Sequence, residues 1–288
     1  MNTSIINLDQ IENLQKQIEL LWTKGIRTFK LKGNFKAQKD TYALLEINKH
    51  LSGISLIGSS ATLNGKRITS HIIIIKDANV TIEGITIIGG DTTNPSRIAN
   101  NYSGWSFRSI YEAIDGSGLL VLGNSNVKLK NCVIADNHSG MCGGGISNQA
   151  TGLVEIDQCK FKNNTAYHTG AAVDNLTKDS KIVINKSKFR DNLSNVGSLC
   201  GGPHGQITIF ANTNAKIQHN KFFGKTFPID TANDSKVQNN DNIYRTKFTA
   251  PVVPINSGTF KNKFEHLKHL FSFEILLIKY GIYPWVHH

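Results

Sequence analysis

The chain has 288 residues, a hydrophobic fraction of 39% and a formal net charge of +11, with 25 glycines, 6 prolines and 4 cysteines. That is enough apolar material for one large domain or two small ones, and too little proline for a disordered, Pro-rich protein. The positive charge suits anionic partners, but Lys and Arg are dispersed and the aromatic RNA-binding signatures are missing, so nucleic acid is not an expected partner.

The first ten residues lack a charged start followed by an apolar run, so no signal peptide is read. The expected location is cytoplasmic, or secreted if a leader has been removed. No apolar stretch of about 18 residues occurs, so no transmembrane span is predicted. The cysteines lack the close pairing of a metal site.

In chain order, Ile11, Leu14, Ile18 and Leu21 make the stripe of an amphipathic helix, with Asp9 as its expected N-cap and Gly25 as its stop. Residues 1–28 are therefore predicted to cap the open N-terminal end of a solenoid. Phe29–Gly33 begins the first strand.

Internal repeats dominate the middle of the chain. Leu129-Lys-Asn-Cys-Val-Ile134, Ile156-Asp-Gln-Cys-Lys-Phe161, Ile184-Asn-Lys-Ser-Lys-Phe189 and Ile217-Gln-His-Asn-Lys-Phe222 begin 27, 28 and 33 residues apart. An earlier copy begins at Ile82 and a fainter one at Val237. Each alternates apolar and polar residues, as strands do, and is too short to bury its face alone. Stacked at the strand spacing of about 4.8 Å, they would align Ile134, Phe161, Phe189 and Phe222 inward. Cys132, Cys159, Ser187 and Asn220 would form a second inward row, with the thiols buried and structural. Asn137, Asn164 and Asn192 each follow a strand and are expected in turns that need a left-handed residue. A further strand comes next, Gly143-Gly-Gly-Ile-Ser-Asn148, matched by Gly170-Ala-Ala-Val-Asp-Asn175.

Phe161-x-x-Asn164 and Phe189-x-x-Asn192, with Gly143-Gly-Gly-Ile146 and Gly170-Ala-Ala-Val173, resemble the repeats of polymorphic outer membrane adhesins. Those repeats belong to the pectin-lyase-like superfamily. Ile54-Ser-Leu-Ile-Gly58, Ala61-Thr-Leu-Asn-Gly65 and 72–90 also resemble that superfamily's first coils. The likeness covers about residues 10–245. It implies an all-β, single-domain, right-handed parallel β-helix over 29–249, and it is far more specific for architecture than for function. The Arg-x-Pro-x-x-Arg element of pectate-type lyases and the clustered aspartates of polygalacturonases are absent; Pro203-His-Gly205 is only a faint likeness to the latter's Gly-His-Gly.

The coil from Ile82 to Leu129 takes 47 residues, and its surplus lies at about 91–118. Long insertions are often functional. This one carries Arg97, Trp105, Arg108 and Tyr111, suited to stacking on sugar faces and pairing carboxylates. Stacking should set it beside the loops that carry His138, Tyr167 and His168. His168 and Tyr167 are the expected base and acid, Arg108 the charge stabiliser, His138 and Asp174 further catalytic candidates. Lys160, Lys188 and Lys221 repeat at one outward position, with Arg190 close by, and would repel one another unless an anionic polymer lay along them. Calcium is a candidate cofactor for uronate cleavage, but Asp136 and Asp191 lie about 10 Å apart across the intervening Asn163. From 250 to 288 the repeat fades into a helical stripe, Phe264, Leu267, Leu270 and Phe271, expected to cap the solenoid or to serve as an oligomer contact.

The expected function is a lyase- or C5-epimerase-like enzyme on an acidic sugar polymer. The alternatives are an isomerase or cyclase on a small molecule, and a non-catalytic, adhesin-like binding solenoid.

Overall fold

The computed structural model describes residues 2–94, 112–167, 169–194, 205–210, 212–232 and 234–246. The insertion's Arg97, Trp105, Arg108 and Tyr111, the loop residue His168 and the whole 250–288 segment lie outside them.

The chain folds as a parallel β-helix: every strand pairing in the described residues is parallel, and the coils stack into a nearly closed solenoid. Three ladders make its walls. The first stacks the leading part of Asn79–Gly90 with Asn126–Lys130, Leu153–Asp157, Lys181–Asn185, Asn214–Gln218 and Lys236–Asn240. The second stacks Val133–Ala135, Lys160–Lys162, Lys188–Arg190, Lys221–Gly224 and Ile243–Thr246. The third runs from Thr41–Ile47 through the end of Ile54–Lys76 to Leu119–Gly123, Ile146–Ala150, Val173–Asn175, Gly205–Ile209 and Phe227–Thr231. A narrow sheet of His138–Ser139, Thr165–Ala166 and Leu193–Ser194 links the second ladder to the third.

The register is the one the repeats predict. Ile82, Leu129, Ile156, Ile184 and Ile217 share one buried row. Phe161, Phe189 and Phe222 stack with ring centroids 4.8 and 4.9 Å apart, and Tyr244 extends the stack at 5.4 Å. The centroid spacing equals the strand spacing because parallel strands carry equivalent side chains at equal height. The fainter copy is offset: Val237 pairs with Ala215, and Asn239 takes the place opposite Ile217.

The corners differ from expectation in a consistent way. The left-handed residues are Asp136, Asn163 and Asp191, with φ of 53° at each. The asparagines one position later point inward and are fully buried. Asn137 Nδ2 donates to Asn164 Oδ1 at 3.0 Å, and Asn164 Nδ2 to Asn192 Oδ1 at 2.9 Å. Asn192 Nδ2 donates to Gln206 Oε1 at 2.8 Å, so a glutamine from the third ladder ends the row. Each amide therefore meets a polar partner where an unpaired one would cost about 1–3 kcal/mol. The other corner keeps Cys132, Cys159, Ser187 and Asn220 inward, with the thiols free and buried.

At the N-terminus the helix runs Leu14–Thr23, and its N-cap is Asn13, which accepts from the Lys16 amide at 3.0 Å. Asp9 sits instead in a short 3-10 turn and accepts from the Asn34 amide at 3.0 Å. A strand at Thr3–Asn7, which the sequence pattern did not indicate, pairs with Thr28–Lys36. The helix buries Leu14 and Ile18. Its Gln15 amide accepts from the Glu46 N–H at 2.8 Å and donates to the Glu46 carbonyl at 3.1 Å, closing an edge that would otherwise be open to pairing. Among the described residues, no helix is long and apolar enough to cross a membrane.

Candidate functional site

The outward middle row of the third ladder reads Glu46, Ile74, Leu120, Ser147, Asp174, Thr208, Asp230. Its early part is apolar: Ile74, Leu120 and Leu122 pack with Tyr42 and Ala43. From Ser147 the row turns polar and stays buried as far as Thr208, with Ser147 and Asp174 at 0% exposure and Thr208 at 5%, before the half-buried Asp230. Outward strand positions normally meet water, so a buried carboxylate here calls for a reason.

A second buried carboxylate joins it. Asp115, just ahead of the Leu119–Gly123 strand, accepts from the Cys142 N–H at 2.8 Å and from Gln149 Nε2 at 3.0 Å. Asp174 has no such support: neither of its carboxylate oxygens has a hydrogen-bond partner, nor has Thr208 Oγ1. The Ser147 hydroxyl lies near enough to favour the Asp174 anion slightly, but outside good hydrogen-bond geometry. Gly143, at φ +63°, leaves the space that Asp174 fills; a Cβ there would strike its Oδ1.

These surroundings set the protonation. Burial pushes Asp115 up to about 8, against the pull of the Cys142 N–H. Burial pushes Asp174 well above the ordinary carboxylate range, and the neighbouring Asp115 charge raises it further. Asp115 accepts two hydrogen bonds and Asp174 none, so Asp174 is the member that holds its proton more firmly. Burial and these two carboxylates also push the Cys142 thiol up, and the Thr169 hydroxyl donates to its sulfur at 3.3 Å. Close by, His71 is fully buried with Nδ1 3.1 Å from the Gly116 carbonyl oxygen, and desolvation draws it down to about 4. A neutral carboxyl at pH 7 is a proton donor in waiting. Asp174 was legible as a candidate. Asp115 and His71 were not, since neither falls at a repeated position of the coils.

A different arrangement sits at the narrow sheet. His138 pairs in register with Thr165 and bridges to Asp91. Its Nδ1 lies 2.7 Å from Thr165 Oγ1, while its Nε2 is buried without a partner. Desolvation lowers its pKa first and the Arg67 charge second, against Asp91 and Asp136, so the imidazole is neutral at pH 7. Tyr167 lies on the adjacent coil, its N–H bonded to the Ser139 carbonyl at 3.1 Å, and partial burial raises its phenol. His138 and Tyr167 are thus on neighbouring coils. Ser139 turns the other way, donating to the Ile114 and Cys142 carbonyls, so the narrow sheet stands between His138 and the Asp115–Asp174 pair.

The third feature is charge. Lys160 pairs with Lys188 and Lys188 with Lys221 on one outward row of the second ladder; Lys162, Arg190 and Phe223 occupy the next, then Arg245. No carboxylate occupies either row, and none of the six cations forms an ion pair among the described residues. Arg190 lies over the Phe223 ring at 4.8 Å. Asp136 and Asp191 hold the turn beyond, where Asn163 donates to Asp136 at 3.2 Å. Among the described residues, no three His, Cys, Asp or Glu side chains are grouped to hold a metal.

No family model, no curated protein and no solved structure matches this chain.

Proposed function

We propose that this β-helix binds an acidic polysaccharide along its second ladder and acts on it as a lyase or C5-epimerase. The observation that carries the reading is the row Lys160–Lys188–Lys221, flanked by Lys162, Arg190 and Arg245, with no acid among them. Stacked like charges cost stability, and a polymer with one carboxylate per sugar would relieve that cost rung by rung.

Both reactions start by removing the proton beside a uronate carboxylate. That needs a base which is neutral at working pH and a cation for the enediolate. His138 has the first property, a neutral imidazole whose Nε2 has no partner, although that atom is buried; the cation in this reading is Arg108. Tyr167, on the neighbouring coil, would return a proton. His168 is the first candidate base and His138 the second, with Trp105, Tyr111 and Arg97 as sugar contacts.

The test is binding and turnover on polygalacturonate and alginate, following the ultraviolet absorbance of an unsaturated uronate and, for epimerisation, exchange of the C5 proton. Binding should weaken steeply with salt and vanish in the triple variant Lys160→Glu/Lys188→Glu/Lys221→Glu. Full binding by that variant would sink the proposal.

A further inference from the structure

The first ladder carries its outward charge differently at its two ends. Toward the N-terminus, lysine and glutamate face each other across rungs: Lys130 lies 3.6 Å from Glu83 and Lys128 lies 3.3 Å from Glu155. Toward the C-terminus this pairing stops. Lys181, Asn214 and Lys236 share one row, and Val183, Lys216 and Gln238 the next but one along the strand. All three lysines are exposed, and none has an ion-pair partner among the described residues.

They line a groove of ≈ 560 Å³, whose wall also includes Asn214, Gln238, Val183 and Leu153. Its chemistry is specific in kind. Three lysines line the space, with Lys181 and Lys236 two rungs apart, about 10 Å, and Lys216 on the rung between. Two side-chain amides offer both donors and acceptors. Val183 and Leu153 give it an apolar side. Ammonium groups for carboxylates, amides for hydroxyls and an apolar face for the C–H side of a ring together describe an anionic sugar residue.

We propose that this groove is a second anion-binding site, which takes an acidic sugar unit one corner away from the second-ladder cations. The sugar identity rests on the acidic-polysaccharide reading above; the existence of a second site does not. A chain long enough to reach both sites would bind with an effective concentration that a short one cannot exploit.

Calorimetric titration of the full chain with a short oligogalacturonate and with long polygalacturonate tests this, using two charge-reversal variants. One is Lys181→Glu/Lys216→Glu/Lys236→Glu, the other the second-ladder triple. Because all six side chains are exposed, thermal melts should show both variants folded, and lysine-to-glutamine versions replace them if either is not. The wild type should take two equivalents of the short oligomer and the groove variant one. The groove variant should also lose roughly two orders of magnitude in affinity for the long polymer. One equivalent in the wild type, or unchanged stoichiometry and affinity in the groove variant, overturns the second site. Loss of all binding in the groove variant with none in the ladder variant upholds the groove and overturns the ladder reading. Tighter binding of single-stranded DNA of equal charge overturns the sugar assignment.

Discussion

Replacing Asp174 by Asn should stabilise this protein at neutral pH, the reverse of what removing a buried polar group usually does. Asp174 is fully buried, both its oxygens lack partners, and Asp115 stands beside it. In the unfolded chain an aspartate titrates near 4; in the fold, burial and the Asp115 charge raise Asp174 well above that. A raised carboxyl holds its proton in the folded state after the unfolded state has lost it. Its contribution is complete below about pH 4 and falls by about 1.4 kcal/mol per pH unit until the folded group ionises. The total is that slope multiplied by the span of pH over which the folded state keeps the proton and the unfolded state does not. Asparagine matches the neutral acid in shape and has no proton to lose, so the variant should show none of that fall. Urea unfolding of wild type and variant at intervals from pH 4 to pH 8 measures it, and taking the difference between the two cancels every titrating group that does not interact with Asp174, leaving Asp174 with its neighbours Asp115 and Cys142. The two should match near pH 4 and diverge steadily above it, with the variant more stable. A difference that stays flat with pH, or grows in favour of the wild type, would refute both the raised pKa and the assignment of the proton to Asp174.

Two more predictions concern what holds the coils together. Phe189→Ala removes the centre of the aromatic stack, a fully buried ring between Phe161 and Phe222; it should cost about 3–5 kcal/mol, and urea unfolding would reveal an overestimate if the loss is below about 1 kcal/mol. Asn164→Ala strips partners from the Asn137 amide and the Ile134 carbonyl, and should cost about 3 kcal/mol. Hydrogen exchange of the Asn137 amide, which Asn164 Oδ1 accepts at 3.3 Å, should accelerate in that variant; unchanged protection would show that water replaces the side chain without loss.

What the sequence could show came from repetition. Nearly equal spacing between Leu129, Ile156 and Ile184, 27 and then 28 residues, with the same strand pattern in each copy puts one residue above another, so the aromatic stack and the lysine row are legible in the sequence. Corners were harder. Aspartate and asparagine both tolerate positive φ, and nothing in Asp136-Asn137 says which member takes it; packing decides, because only one of the two can turn its amide inward. The cap on the helix failed for a similar reason, since Asp9 and Asn13 are both good caps and the fold gives Asp9 another amide to hold. The carboxylate pair was invisible because Asp115 and Asp174 are far apart in the chain and share no repeat position. The lysine groove was missed because its row reads Leu153, Lys181, Asn214, Lys236, a pattern broken at alternate rungs.

The inward asparagines have one more property: they all point the same way. Gly90 donates to Asn137, Asn137 to Asn164, Asn164 to Asn192, and Asn192 to Gln206. Cutting this chain between any two asparagines leaves an acceptor on one side and a donor on the other, which is what the next coil in either direction offers. A complete coil is thus an exchangeable cassette, and duplication or loss of one would leave no amide stranded. The solenoid's length can change by whole units during descent while its outer rows, which bear the charges and the carboxylates, diversify independently.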